Sequence, residues 1–114
     1  MFRQLLKSKI HRCTVTEADV DYVGSITIDQ DLMDAVDLWP GELVHIWNSS
    51  NGERFETYTL VGPRGSGIIC MNGPAALRVE VGHKIIVAAF AITDKQIDPK
   101  VILVDDDNRI MRRL

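Results

Sequence analysis

Cysteine, histidine and aromatic residues are all scarce in this sequence, and each shortage closes off a class of protein. Two cysteines, Cys13 and Cys70, show neither a CxxC pair nor zinc-type spacing, so a disulfide framework and a zinc site are both unexpected. The three histidines, His11, His45 and His83, are not spaced as a metal pair on one helix. His45 and His83 read as surface or edge residues, and His11, between Ile10 and Arg12, is open to either reading. No hydrophobic run is long. The longest, Ile85 to Ile92, is strand-sized and far short of a membrane-spanning helix, so no membrane partner is expected. Positive charge is also in deficit. Thirteen Lys and Arg stand against sixteen acids, a net charge of −3, and aromatics make up 6%. A nucleic-acid binder needs the opposite balance, with basic residues interleaved with aromatic ones. Phe2 to Ile10 mixes Arg3, Lys7 and Lys9 with apolar residues and carries no export-type apolar core, so a cytoplasmic location is expected.

What remains is an ordinary globular composition, 46% hydrophobic and 25% charged in 114 residues, enough for one domain over 1–114. A core this small leaves stability or site completion to self-association. Short apolar and β-branched runs alternate with turn signals, the pattern of a mainly-β barrel. Strands are predicted at Leu5 to Val15, Val23 to Ile28, Leu43 to Trp47, Phe55 to Val61, Ile68 to Met71, Ile85 to Ile92 and Val101 to Val104. Asn51-Gly52 predicts a hairpin turn, and Gly62-Pro63-Arg64-Gly65 another turn. Ile68 to Met71 and Ile85 to Ile92 are apolar enough to be buried on both faces. One helix is predicted after Asp29 as its cap, with Leu32, Met33, Ala35 and Val36 on its apolar side and Pro40-Gly41 as its stop. A second helical turn is expected at Pro74 to Leu77. The tail, Asp105 to Leu114, reads as frayed or as packing between subunits.

Candidate chemistry centres on Gly24-Ser25 within a predicted strand. Glycine there signals a bulge, a bend or a close backbone approach. The dipeptide alone allows two readings: a plain bulge followed by an outward serine, or a strained peptide bond preceding a nucleophilic hydroxyl. No GxSxG elbow surrounds Ser25, which argues against an ordinary serine hydrolase. After the Asn-Gly turn, strand alternation sets Arg54 and Tyr58 on one face and Thr57 on the other. Arg offers a fork for a carboxylate and Tyr a proton, although an exposed hairpin explains the same residues.

Taken in order, these pieces form a longer pattern. Leu6 through His11-Arg12, Val15-Thr16, Ala18-Asp19, Tyr22, Gly24-Ser25, Ile28-Asp29-Gln30-Asp31, Asp34-Ala35, Ile46-Trp47-Asn48, Asn51-Gly52, Arg54-Phe55, Thr57-Tyr58, Arg64-Gly65-Ser66, Asn72-Gly73, Ala75-Ala76 and Val81-Gly82 run in register over most of the chain. Together they resemble the pyruvoyl-dependent aspartate 1-decarboxylases.

The resemblance implies a double-psi β-barrel with one or two short helices, assembled as a homotetramer with active sites between subunits. It implies a precursor cleaved between Gly24 and Ser25 into a short 1–24 chain and a long 25–114 chain. Ser25 would become a pyruvoyl group, with no pyridoxal phosphate and no metal. That group would condense with the amine of L-aspartate and draw off electrons as CO₂ leaves, giving β-alanine for pantothenate synthesis. By the same likeness Thr57 assists cleavage and Tyr58 returns the proton. Lys9 and Arg54 hold substrate carboxylate, Asn72 and Gly73 orient the adduct beside Pro74 and Ala75, and His11, Tyr22 and Trp47 shape the pocket. Pro74 departs from the family, which often has alanine there, and proline carries no N–H. Cys13 also departs, without a functional meaning. The sequence leaves open whether an accessory protein assists cleavage. The competing reading is a barrel of the same shape without activity, serving as a binding or assembly module.

Overall fold

Alternation of apolar and polar residues writes most of the strands, and one buried carboxylate organises the turn between them. The computed structural model describes residues 1–114. In chain order its elements are β1 (Arg3–Thr14), β2 (Glu17–Asp19), β3 (Ser25–Asp29), α1 (Gln30–Val36), β4 (Leu43–Asn48), β5 (Arg54–Gly62), β6 (Ile69–Asn72), a 3-10 helix (Gly73–Arg78), β7 (Lys84–Thr93), β8 (Lys100–Val104) and β9 (Ile110–Arg113). The nine strands are ordered β2-β6-β3-β5-β4-β7-β1-β8-β9. Three neighbouring pairs, β1/β8, β2/β6 and β3/β5, run parallel, and the others antiparallel. Thr16 N–H donates to the Ile69 carbonyl at 2.8 Å, so the chain leaving β1 bonds back to β6 and helps the sheet curl into a barrel. The mainly-β barrel with two short helices is the expected architecture.

Inward side chains of nearly every element meet in one core, including Ile10, Ile26, Ile28, Leu32, Met33, Ile46, Ile69, Met71, Ile85 and Ile102. Each such side chain contributes roughly 1.5–3 kcal/mol by leaving water. Asp29 caps α1, accepting from Asp31 N–H at 2.8 Å. The same carboxylate accepts from Gly65 and Gly67 N–H at 3.0 and 2.8 Å, so it ties the helix start to the turn after β5. Arg64 closes this joint from outside with Asp31 and Asp34 at 2.6 and 2.9 Å.

Four expectations need correction. The helix ends at Val36, before Pro40-Gly41, because Asp37 turns left-handed (φ 59) and its N–H bonds back to Met33 and Asp34 carbonyls. The tail is not frayed: Ile110–Arg113 pairs antiparallel with β8, and buried Asn108 ties the β8–β9 turn to Thr14 and to the Gly67 carbonyl. β7 is buried through Ala89, but its outer half is open, with Ile92 72% exposed. The second predicted strand begins at Ser25 rather than Val23, because the backbone at Gly24 and Ser25 leaves the extended region. β6, by contrast, is buried along its whole length, as expected.

Candidate active site

Gly24 has φ 139 and Ser25 has φ 104. Glycine tolerates such values, but a serine does not, and a non-glycine residue held there stores on the order of 1–3 kcal/mol of strain. Ser25 is also completely buried. The irregular backbone that the glycine signalled is therefore present, as a bend before β3 rather than a bulge within it, and its strain falls on the serine, which points inward rather than outward.

The strands on either side of β3 supply its neighbours. Antiparallel pairing sets Ser25 opposite Asn72 of β6 and Thr27 opposite Cys70. Asn72 Nδ2 donates to Ser25 Oγ at 3.0 Å and to Thr27 Oγ1 at 3.2 Å. On the other side, parallel pairing sets Ile26 beside Thr59 of β5, and one step back along that register brings Tyr58 beside Ser25. Tyr58 Oη lies 3.8 Å from where a β-carbon on Gly24 would stand.

Asn72 precedes the 3-10 helix in the capping position, yet its side chain makes no capping bond because it is engaged with Ser25. Gly73 follows with φ 71, and a β-carbon there would meet Gly24 Cα at 2.8 Å, Gly24 N at 3.0 Å and the Tyr22 carbonyl oxygen at 3.1 Å. Only glycine permits this approach of one backbone to another. Pro74 is exposed at the start of the 3-10 helix, and Ala75 packs half-buried against the core.

Arg54 and Tyr58 share the outer face of β5, and Thr57 points to the half-buried face, as strand alternation requires. The Arg54 guanidinium stacks 4.7 Å from the Trp47 ring centre, across the β4/β5 pairing. The two line an open hollow of about 210 Å³ together with His45, Phe55 and Glu56. Tyr22 stands half out in solvent on the loop before Gly24, with Val23 90% exposed beside it.

Lys9 and His11 sit elsewhere. Both are on β1, where Lys9 pairs with Ala88 and Val101, and β4, β5 and β7 lie between β1 and β3 in the sheet order. A bulge there puts Arg12 at φ 68. His11 Nδ1 is buried and makes no hydrogen bond. Burial, then the charges of Lys9 and Arg12, hold the His11 pKa below its usual value, which favours the neutral ring. Within one chain, then, Gly24, Ser25, Tyr58, Asn72 and Gly73 come together, Arg54 stands four residues before Tyr58 on the same face of β5 and stacks on Trp47, and Lys9 and His11 lie on β1, with three strands between it and β3 in the sheet order.

Both cysteines are free and buried. Cys13 has its thiol pushed up to about 12 by burial, which disfavours the reactive thiolate. Cys70 is different, and sequence reasoning missed it. Its Sγ donates to Asn72 Oδ1 at 3.3 Å, so it touches the residue that holds Ser25. Spacing was the available signal: Cys70 and Asn72 are two apart on one strand and so share a face.

Comparison with known proteins agrees with this geometry. The family model described as aspartate decarboxylase matches residues 1–111. The chain is 54% identical over 114 residues to the aspartate 1-decarboxylase of Neisseria meningitidis, covering 96% of this chain and 90% of the relative. It is 55% identical over 115 residues to that of Heliobacterium modesticaldum, covering 97% and 87%. It is 51% identical over 118 residues to that of Shouchella clausii, covering 100% and 93%. With the match running through the strained Gly24-Ser25 junction and the residues around it, the chain belongs to the aspartate decarboxylase family.

Proposed function

We propose that this chain is an aspartate 1-decarboxylase that forms its own pyruvoyl group by cutting itself between Gly24 and Ser25. One observation carries the reading: a fully buried serine at φ 104 follows a glycine at φ 139, with its hydroxyl held by Asn72. The relatives that bear the name aspartate 1-decarboxylase supply the substrate.

Cleavage uses only the chain's own atoms and water. Ser25 Oγ attacks the Gly24 carbonyl carbon, the C–N bond breaks, and the amide nitrogen takes the hydroxyl proton, leaving an ester. Backbone strain at Ser25 is released in this step, so the ground state already carries part of the barrier. Removal of the Ser25 α-proton expels the Gly24 carboxylate and leaves dehydroalanine. Water then displaces ammonia and leaves a ketone at residue 25. The products are fragments 1–24 and 25–114. Thr57 is assigned to this stage, as the hydroxyl on the half-buried face of β5.

The surroundings of Ser25 suit an uncharged group with carbonyl oxygens, because they offer the Asn72 amide donor and the Tyr58 hydroxyl and no buried charge. A ketone there supplies an electron sink for loss of an amino acid's α-carboxylate as CO₂. Arg54 and Lys9 hold the substrate's carboxylates, Arg54 through its planar fork. Tyr58 delivers a proton to the former α-carbon. Asn72 and the Gly73 backbone orient the substrate, with Pro74 and Ala75 at the rim. Pro74 brings no N–H, so any backbone donor at this rim belongs to Gly73 or Ala75.

Lys9 and His11 lie on β1, with three strands between it and β3 in the sheet order, and a homotetramer with sites between subunits can bring such residues in from a neighbouring copy. Val20, Tyr22 and Val23, exposed around the cleavage loop, provide apolar surface for that neighbour. No helix is long and apolar enough to cross a membrane, and a cytoplasmic enzyme is the reading that goes with two free thiols. Purified protein given L-aspartate should release CO₂ and β-alanine in equal amounts, and the Ser25→Ala variant should release neither. An intact chain without turnover would favour a binding or assembly module instead.

A further inference from the structure

We infer that Cys70 is a positioning residue for Ser25: its thiol fixes which end of the Asn72 amide faces the attacking hydroxyl. This rests on the self-cleavage reading above. Cys70 and Asn72 on β6 and Thr27 and Ser25 on β3 form two facing pairs in the antiparallel register. The Asn72 side chain sits among the other three. Its Nδ2 reaches Ser25 Oγ at 3.0 Å and Thr27 Oγ1 at 3.2 Å, and its Oδ1 receives Cys70 Sγ–H at 3.3 Å.

An asparagine amide can turn over and exchange its oxygen for its nitrogen within nearly the same volume. The two hydroxyls do not choose between these orientations, since each can donate or accept. A protonated thiol leans one way: its S–H is a weak donor, but its sulfur is a poor acceptor beside two hydroxyl oxygens, so the amide oxygen turns to it and the NH₂ turns toward Ser25. The surroundings keep the thiol protonated. Its pKa is raised by burial, then by the charge of Glu17 and a hydrogen bond to its carboxylate, with Asp19 adding to these, and Glu17 is the residue beside Cys70 in the parallel β2/β6 pairing. The exposed strand β2 thus bears on the site, because its carboxylates, after burial, further disfavour a thiolate that would attract the NH₂ instead.

Orientation matters for the chemistry. An N–H directed at Ser25 Oγ stabilises negative charge on that oxygen as it attacks. The reversed amide would accept the serine proton and hold the hydroxyl in its neutral form. A further observation fits a dedicated role: Asn72 gives up the capping bond that its position before the 3-10 helix offers.

The test compares Cys70→Ala with Cys70→Ser in freshly synthesised full-length chain. Conversion to fragments is followed by mass across pH, and Asn72 side-chain orientation is followed by nuclear Overhauser contacts. Cys70→Ser can still donate but can also accept, so it should hold the orientation only in part and process at a rate between wild type and Cys70→Ala, with a weaker contact from the NH₂ to Thr27. Cys70→Ala should process on the order of tenfold slower, with its pH profile moved to higher pH and new contacts from the NH₂ to the methyl group introduced in place of the thiol; a tenfold change corresponds to about 1.4 kcal/mol in the barrier. Cys70→Ala with unchanged rate, pH profile and contacts overturns the inference. So does a Cys70→Ser chain as slow as Cys70→Ala, which would mean that sulfur volume rather than donation matters. A wild-type chain that never splits removes the self-cleavage reading instead, and the contact measurement then still decides what orients Asn72.

Discussion

Replacing Gly73 with alanine should damage processing through a backbone contact rather than through any side chain. The added β-carbon would stand 2.8 Å from Gly24 Cα and 3.0 Å from Gly24 N, against backbone that cannot rotate aside. Alanine at φ 71 also carries a left-handed penalty of roughly 1–2 kcal/mol. Overpacking against fixed backbone adds about 1–3 kcal/mol. The total, about 2–5 kcal/mol, is a large share of the ~5–15 kcal/mol that holds a native domain together. Gly82 provides the control. It has φ 94, but a β-carbon there meets nothing within 4 Å, so Gly82→Ala carries the strain without the clash. Thermal melts and fragment yield on a denaturing gel should be measured for both variants. Gly82→Ala should lose several degrees in Tm and process normally. Gly73→Ala should lose more Tm and fail to convert, because the push falls on Gly24 itself. Equal Tm loss and normal conversion in both would refute the close approach of Gly73 to the cleavage site.

Arg54→Ala should process fully yet show KM for aspartate raised about tenfold or more, since a charge-assisted hydrogen bond is worth about 1.5–3 kcal/mol; steady-state kinetics on fully converted enzyme checks this. Tyr58→Phe should convert normally and turn over about 10²–10⁴-fold more slowly if its hydroxyl is the general acid, whereas Thr57→Val should show impaired fragment yield first. For Cys13, whose thiol is raised from 9.0 to about 12 by burial, the folded state holds its proton more tightly than the unfolded state. Its contribution to stability is therefore complete below about pH 9 and declines as pH rises toward 12. Denaturant titrations should show stability falling over that range, and falling less steeply in Cys13→Val.

Elements that bury their own side chains were legible in the sequence. Ile69 to Met71 announced a strand because every residue is apolar, and Asp29 announced a helix start because its carboxylate can reach the first free N–H groups. Elements that depend on a distant partner were not. β2, Glu-Ala-Asp, is exposed at every residue and is a strand only through its parallel pairing with β6. β9 is likewise exposed throughout, and its order comes from β8 and from Asn108 reaching across to Thr14 and Gly67. At the candidate site, glycine at 24 warned of irregular backbone, but nothing local said that the strain would fall on Ser25. That follows from β5 and β6 gripping the strand from both sides. The place of Arg54 on the face of Tyr58 was legible from alternation, but the place of Lys9 and His11 in the sheet was not, since sheet order is set by long-range pairing.

The central claim is that Ser25 becomes the amino-terminal ketone of a shorter chain, and intact mass spectrometry of the purified protein tests it most directly. The expected result is two species, residues 1–24 ending in a free Gly24 carboxylate and residues 25–114 lighter by one ammonia than a serine-initiated fragment, with the longer species reacting with a hydrazide. A single mass for the whole chain, or a longer fragment with the mass of unmodified serine at its start and no reaction with the hydrazide, would contradict it.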